Sequence, residues 1–82
     1  MKISASVKNS EGDHQVVLKT DANSHSIKIP ANLSGFGSSA NGGELLFLAL
    51  AICYCNDIYR EASKRNLRIE RVEVEVEGDL VD

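Results

Sequence analysis

Residues 34–65 read SGFGSSANGGELLFLALAICYCNDIYREASKR, and this stretch decides the fold. A glycine- and serine-rich loop leads into eleven consecutive apolar residues, Leu45 to Cys55. Asn41 and Glu44 have the spacing of a capping box, no proline interrupts the segment, and its leucines, alanines and long charged residues favour helix. Asn66 tolerates the left-handed conformation in which helices often end. The stretch therefore predicts one long central helix that begins after Asn41 and ends near Asn66.

Three short strands are predicted before this helix and one after it. Lys2–Lys8 and Gln15–Thr20 flank a turn that contains Gly12. His25–Ile29 follows a second turn. Arg68–Glu77 alternates valines with glutamates, so the valines would face a core and the glutamates the solvent. The predicted fold is α+β, in the order β-β-β-α-β, with an antiparallel sheet packed on the central helix.

Length and charge limit the classes of protein to consider. The 82 residues are predicted to form one small domain, residues 1–82. Such a domain buries only about 60–65% of its unfolded surface, and one sheet covers only one side of an all-apolar helix, so a second chain is expected to complete the core. A net charge of −3 with no basic block argues against a nucleic-acid partner.

A membrane location is not expected either. The apolar run of the central helix is shorter than the roughly twenty residues that span a bilayer. The N-terminus, MKISASVKNSEGDH, lacks the apolar core of a signal peptide. The cytoplasm is therefore the expected compartment.

The two cysteines, Cys53 and Cys55, are the main candidates for chemistry. At about 100° per residue their side chains point about 200° apart, so they are not expected to share a metal ion or to form a mutual disulfide. Cys55 belongs to a predicted core stripe with Leu48, Ile52, Ile58, Tyr59 and Ala62. Cys53 lies where the apolar half of the helix meets its charged half, on the side of Leu46, Ala49, Leu50, Asp57, Arg60 and Lys64. A small buried hydrophobe is the plainer interpretation of each cysteine, and Cys53 is the stronger candidate for a reactive thiol.

Other candidate sites are weaker, and no metal site or cofactor is predicted. The loop SGFGSSANGG precedes a helix N-terminus and could bind an anion, but it lacks the Gly-Lys-Ser/Thr ending of a P-loop. His14 and His25 are isolated near turns, where surface histidines are common. The glutamates of residues 73–77 are typical of the solvated face of a strand.

Residues 34–80 resemble the OsmC/Ohr family, named for osmotically inducible protein C and organic hydroperoxide resistance protein. In that family a glycine-rich loop precedes a Glu-Leu-Leu helix start, and a cysteine follows nine residues after the glutamate, here Glu44 and Cys53. A helical Ala-x-Lys-Arg segment and a valine-rich strand come next, matched by Ala62 to Val76. The strands before the loop also fit the family's N-terminal sheet.

The resemblance implies an intertwined homodimer and a cysteine-based peroxidase of the peroxide response, an oxidoreductase in which Cys53 attacks an organic hydroperoxide. The family's second cysteine lies in a C-terminal half that this chain is expected to lack, as a truncated form of the domain. Peroxidase members also use an arginine from the first strand-turn region and a glutamate just before Glu44. Here no arginine precedes Arg60, and Gly43 occupies the glutamate position.

Two functions therefore stay open. The first is reduction of organic hydroperoxides through Cys53, with an external thiol as reductant. The second is a non-enzymatic dimeric module that binds a small apolar ligand or has a structural role, with Cys53 merely buried. A further alternative is that another polypeptide supplies the missing half.

Overall fold

The computed structural model describes residues 1–81, so Asp82 of the predicted domain lies outside it. It contains a three-stranded antiparallel sheet, ordered β1-β2-β3, and one helix, which confirms the α+β class. The elements are β1 (Ile3–Ser10), β2 (Asp13–Thr20), β3 (Asn23–Ile27) and α1 (Gly42–Lys64). The chain divides into two compact units, residues 1–41 and a second unit that begins at Gly42. A single OsmC-like domain, with its sheet packed on the helix and a dimer around it, stays a prediction.

The register of the sheet gathers apolar side chains on one face. Val7 lies opposite Val16, and Val16 lies opposite Ile27. Since side chains alternate along a strand, the apolar members of this face are Ile3, Ala5, Val7, Val16, Leu18 and Ile27, and Thr20 and His25 lie on the same face at its edge. Only Val16, at the centre, is buried, whereas Val7 is 60% exposed. The alternation predicted for the first strand is confirmed, and most of the face that it forms is open.

The two hairpin turns use residues that accept a positive φ. Gly12 has a φ of 71° and Asp21 a φ of 52°. The Asp21 carboxylate accepts a hydrogen bond from the backbone N–H of Lys2 at 2.9 Å, and the Asp21 N–H donates to the Lys2 carbonyl oxygen at 2.7 Å. These bonds offset the cost of a left-handed conformation at a residue other than glycine.

Both ends of α1 are where the sequence predicts them. The helix begins at Gly42, directly after Asn41. At the other end Asn66 has a φ of 54°. Its N–H donates to the Ser63 carbonyl at 3.2 Å, and the N–H of Leu67 donates to the Ala62 carbonyl at 2.9 Å. This pair of bonds is the Schellman motif, which satisfies the last carbonyls of a helix and turns the chain back.

The predicted fourth strand is wrong as a paired strand. Arg68–Glu77 has no strand assignment, and in the described part of the chain the sheet ends at β1 and β3. The alternation itself is present, because the three valines of residues 72–76 are half-buried and the glutamates between and after them are exposed. An alternating pattern specifies which side chains are covered, whereas a strand also needs a neighbouring backbone to bond.

The chain after the helix, residues 67–78, is here called the return segment. Leu67 and Ile69 line an open groove together with Ile58 and Ala62 of α1. At the far end of the segment, a Cβ on Gly78 would lie 3.2 Å from the Phe47 ring. The return segment therefore runs back along α1 towards the start of the helix.

The length and composition of α1 are those of a helix that could cross a membrane. The helix has 23 residues. Its unbroken apolar part, Leu45 to Cys55, is about 16 Å long at 1.5 Å per residue, against about 30 Å for a hydrocarbon core. Core helices of soluble proteins pass the same test, so the test carries little weight for or against the expected cytoplasmic location.

Candidate functional site

One side of α1 is covered by the return segment. It carries Phe47, Ala51, Cys55 and Ala62, which recur at helical spacing and are here called the covered face. Ala62 is buried, and the other three are half-buried. The face is identified by its two ends, since the Phe47 ring meets Gly78 and Ala62 lines a groove with Leu67. Cys55 thus lies on the packed side of the helix, as predicted.

The opposite side of α1 carries Cys53. Its thiol is free and exposed. Leu46, Ala49 and Leu50 precede Cys53 by one to two turns on the same side, and the four residues are here called the open face. Leu46 is 55% exposed and Leu50 44%. Among residues 1–81 no hydrogen bond to the Cys53 thiol is present, so its surroundings within the chain are apolar side chains and solvent.

Charged residues begin one turn beyond Cys53. The Arg60 guanidinium donates to the Asp57 carboxylate at 2.6 Å, and both side chains are more than half exposed. Such a surface pair contributes at most about 1 kcal/mol to stability. Cys53 and Arg60 are about 10 Å apart along the helix axis at 1.5 Å per residue. The nearest cation on this side is therefore occupied by a carboxylate and is not in contact with the thiol.

The predicted core stripe is only partly right. Four members expected to share the core with Cys55 are instead exposed: Leu48 (51%), Ile52 (48%), Ile58 (39%) and Tyr59 (42%). Ala62, the last member of that stripe, is buried as expected. Helical spacing predicts which residues lie on the same side of α1, but the path of the return segment determines which side is buried. The return segment covers Phe47, whereas Leu48, the next residue in the helix, lies at the edge of the covered face and is exposed.

An open groove lies between the second half of α1 and the start of the return segment. Its volume is about 410 Å³, and its floor is apolar. Tyr54, Ile58 and Ala62 form one wall, and Leu67 and Ile69 form the other. The sequence did not predict this groove, although the left-handed helix end expected near Asn66, with Leu67 and Ile69 beyond it, was a usable signal.

The glycine-rich loop is anchored to the sheet of the first unit. The side-chain amide of Asn9 donates to the Gly37 carbonyl at 3.3 Å, and its oxygen accepts the Gly37 N–H at 3.0 Å. This bidentate bond gives the loop a structural role. His14 is half-buried and His25 exposed, on different strands. Over residues 1–81 no group of three or more potential metal ligands comes together.

The chain matched no protein-family model, no curated protein and no solved structure. The fold and site define an α+β protein with one exposed thiol on the open face of a long helix. Membership of the OsmC/Ohr family stays a prediction that rests on the sequence motif from the glycine-rich loop to Cys53.

Proposed function

We propose that the protein is an OsmC-like stress-response protein that reduces organic hydroperoxides through Cys53. The observation that carries this proposal is the position of Cys53, free and exposed beside the leucines of the open face. The other thiol, Cys55, lies on the covered face and has no comparable access.

The reaction is a two-electron transfer from sulfur to the peroxide. The Cys53 thiolate attacks one peroxide oxygen, the O–O bond breaks, and the departing alkoxide takes a proton to become an alcohol. The sulfur becomes a sulfenic acid. An external thiol then forms a mixed disulfide and releases water, and a second thiol regenerates Cys53. Cys55 points to the opposite side of α1, so it does not replace the external thiol.

The open face favours an apolar substrate. Leu46, Ala49 and Leu50 present a surface to which an alkyl or aryl hydroperoxide can bind by burying its hydrocarbon part. Hydrogen peroxide has no such part and gains nothing from this surface. The expected order of reactivity is therefore aryl or alkyl hydroperoxides before hydrogen peroxide.

The second candidate function is a non-enzymatic dimeric module that binds a small apolar ligand or has a structural role. It is favoured by Gly43 in place of the family's glutamate, and by an Arg60 that is paired with Asp57. In this alternative, the open face is an assembly or ligand surface, and Cys53 is one apolar residue within it.

Two measurements separate the two functions. The first is the intact mass after treatment with cumene hydroperoxide in the presence of a sulfenic-acid trap. The second is the oligomeric state of the same sample. The peroxidase predicts a gain of about 16 Da, or one trap adduct, that is lost in Cys53→Ser. Cys55→Ser is the matched control and should retain the adduct. An unmodified Cys53 in a stable dimer would contradict the peroxidase and support the module.

A further inference from the structure

The groove between the second half of α1 and the start of the return segment has the size and lining of a ligand site. Its volume of about 410 Å³ lies within the range of pockets that hold small molecules. Ile58 on one wall is 39% exposed, and Leu67 on the other wall is 60% exposed. Burial of such side chains contributes about 25 cal/mol for each Å² of apolar surface removed from water, so a hydrocarbon chain is stabilised in this groove.

The groove is formed by the backbone at the end of α1. The N–H of Leu67 donates to the Ala62 carbonyl at 2.9 Å, and the N–H of Asn66 donates to the Ser63 carbonyl at 3.2 Å. These bonds fix the direction in which the return segment leaves the helix, so a ligand binds without the cost of ordering that turn. They also occupy carbonyl oxygens that would otherwise present a negative partial charge to an anion at this end of the helix.

Three charged residues line the groove, and one of them has no partner in the described part of the chain. The Arg60 guanidinium lies 2.6 Å from the Asp57 carboxylate, and the Lys64 ammonium lies 3.5 Å from the Glu61 carboxylate. Among residues 1–81 the guanidinium of Arg65 makes no ion pair and no side-chain hydrogen bond. Each carboxylate at the groove is thus offset by its own cation, and one positive charge, on Arg65, remains.

We propose that this groove binds an amphiphile with one alkyl chain and one carboxylate head group. The alkyl chain lies along the apolar walls. The carboxylate is bound by Arg65, because a planar guanidinium donates two parallel hydrogen bonds to such a group. A cationic head group would be repelled by the unpaired charge of Arg65, and an uncharged head group would gain little from it. The walls therefore select the tail of the ligand, and Arg65 selects its head.

This site is separate from Cys53. Ile58 and Cys53 are five residues apart, which places them about 140° apart around α1. The inference therefore does not rest on the reduction of hydroperoxides. Within the non-enzymatic alternative it names the class of ligand and places that ligand in the groove instead of on the open face. Cys53→Ser should bind the amphiphile as the parent does and should lose the sulfenic-acid adduct, so a failure of one proposal is distinguishable from a failure of the other.

Calorimetric titration with decanoate, kept below the concentration at which micelles form, tests the site. We expect decanoate to bind at least about threefold more tightly than decyltrimethylammonium, and octanoate to bind at least about threefold more weakly than decanoate because it buries fewer methylene groups. Arg65→Gln should weaken decanoate binding by about three- to tenfold and remove the preference for the carboxylate. Arg68→Gln is the matched control, because it removes the same charge from a residue that does not line the groove, and it should bind decanoate as the parent does.

Methyl NMR spectra locate the bound amphiphile. Decanoate should shift the methyl signals of Ile58, Leu67 and Ile69 and leave those of Leu46 and Leu50, on the open face, in place. Shifts confined to the open face, an equal loss of affinity in the two arginine variants, or tighter binding of decyltrimethylammonium would overturn the proposal. The absence of saturable binding would overturn it as well. So would groove signals that shift with protein concentration instead of with decanoate, because a second copy would then be the occupant.

Discussion

The two sides of α1 are similar in sequence and different in cover. The side of Cys55 is packed against the return segment, and Ala62 on that side is only 6% exposed. The side of Cys53 carries leucines that are about half exposed. The sequence predicts that Cys55 lies in the core and that Cys53 lies at its margin, and the path of the return segment determines how many of the neighbouring apolar residues are covered.

The largest expected effect is the difference in stability between a variant with a charge on the covered face of α1 and a variant with the same charge on the open face. Ala62→Asp should lower the free energy of unfolding by about 2 kcal/mol more than Ala49→Asp, because only the first buries a carboxylate without a partner. Ala49→Asp is the control, since it makes the same residue change at an exposed position of the same helix; at Ala62 the helix dipole of the last turn adds a further cost of about 0.3–1 kcal/mol. Urea unfolding followed by circular dichroism measures both at a protein concentration low enough to keep the chain monomeric.

The same pair of variants separates the two candidate functions when assembly is measured. If the open face is an assembly surface, as in the non-enzymatic alternative, Ala49→Asp should weaken dimerisation by about tenfold or more, because it buries a charge in an apolar interface. Ultracentrifugation measures this effect. Dimers of Ala49→Asp as strong as those of the parent would mean that a second copy does not cover the open face.

A smaller effect is expected at the turn that directs the return segment. Asn66→Ala should lower the free energy of unfolding by about 1 kcal/mol, since alanine accepts the left-handed conformation poorly. Asn66→Gly should be neutral or slightly stabilising. Thermal unfolding checks both, with Asn56→Ala inside the helix as the control. An unchanged melting temperature in Asn66→Ala would mean that this turn does not hold the covered face together.

The smallest effect is expected where the return segment meets the start of the helix. A Cβ on Gly78 would lie 3.2 Å from Phe47 Cζ, so Gly78→Ala requires the ring to shift by a few tenths of an ångström. We expect a loss of no more than about 1 kcal/mol. Gly42→Ala is the control, because a Cβ there meets nothing within 4 Å. Equal melting temperatures for the two variants would argue against a close contact between Phe47 and Gly78.

Local signals in the sequence predicted the local structure. Asn41 marked the start of α1 and Asn66 its end, because a helix terminus is specified by the residues at the terminus itself. The angle between Cys53 and Cys55 followed from helix geometry alone. The alternation of residues 72–77 correctly separated covered valines from exposed glutamates.

The features of the structure that the sequence did not predict depend on contacts between residues that are far apart in the chain. Whether Arg68–Glu77 is a strand depends on a neighbouring backbone, and no pattern within the segment specifies that neighbour. The exposure of Leu48 and Ile52 depends on the course of the return segment. Asn9 and Gly37 are 28 positions apart, and nothing in the sequence around either residue predicts the hydrogen bonds between them.

Competitive alkylation of the two thiols tests the difference between the two sides of α1 most directly. Native protein is treated briefly with iodoacetamide, and the modification of Cys53 and Cys55 is quantified by mass spectrometry, with a fully denatured sample as the reference. We expect Cys53 to react at least about tenfold faster than Cys55 in the native protein, and at an equal rate after denaturation, since exposure of the thiol limits its reaction. Equal native rates, or a faster Cys55, would contradict the assignment of the open and covered faces.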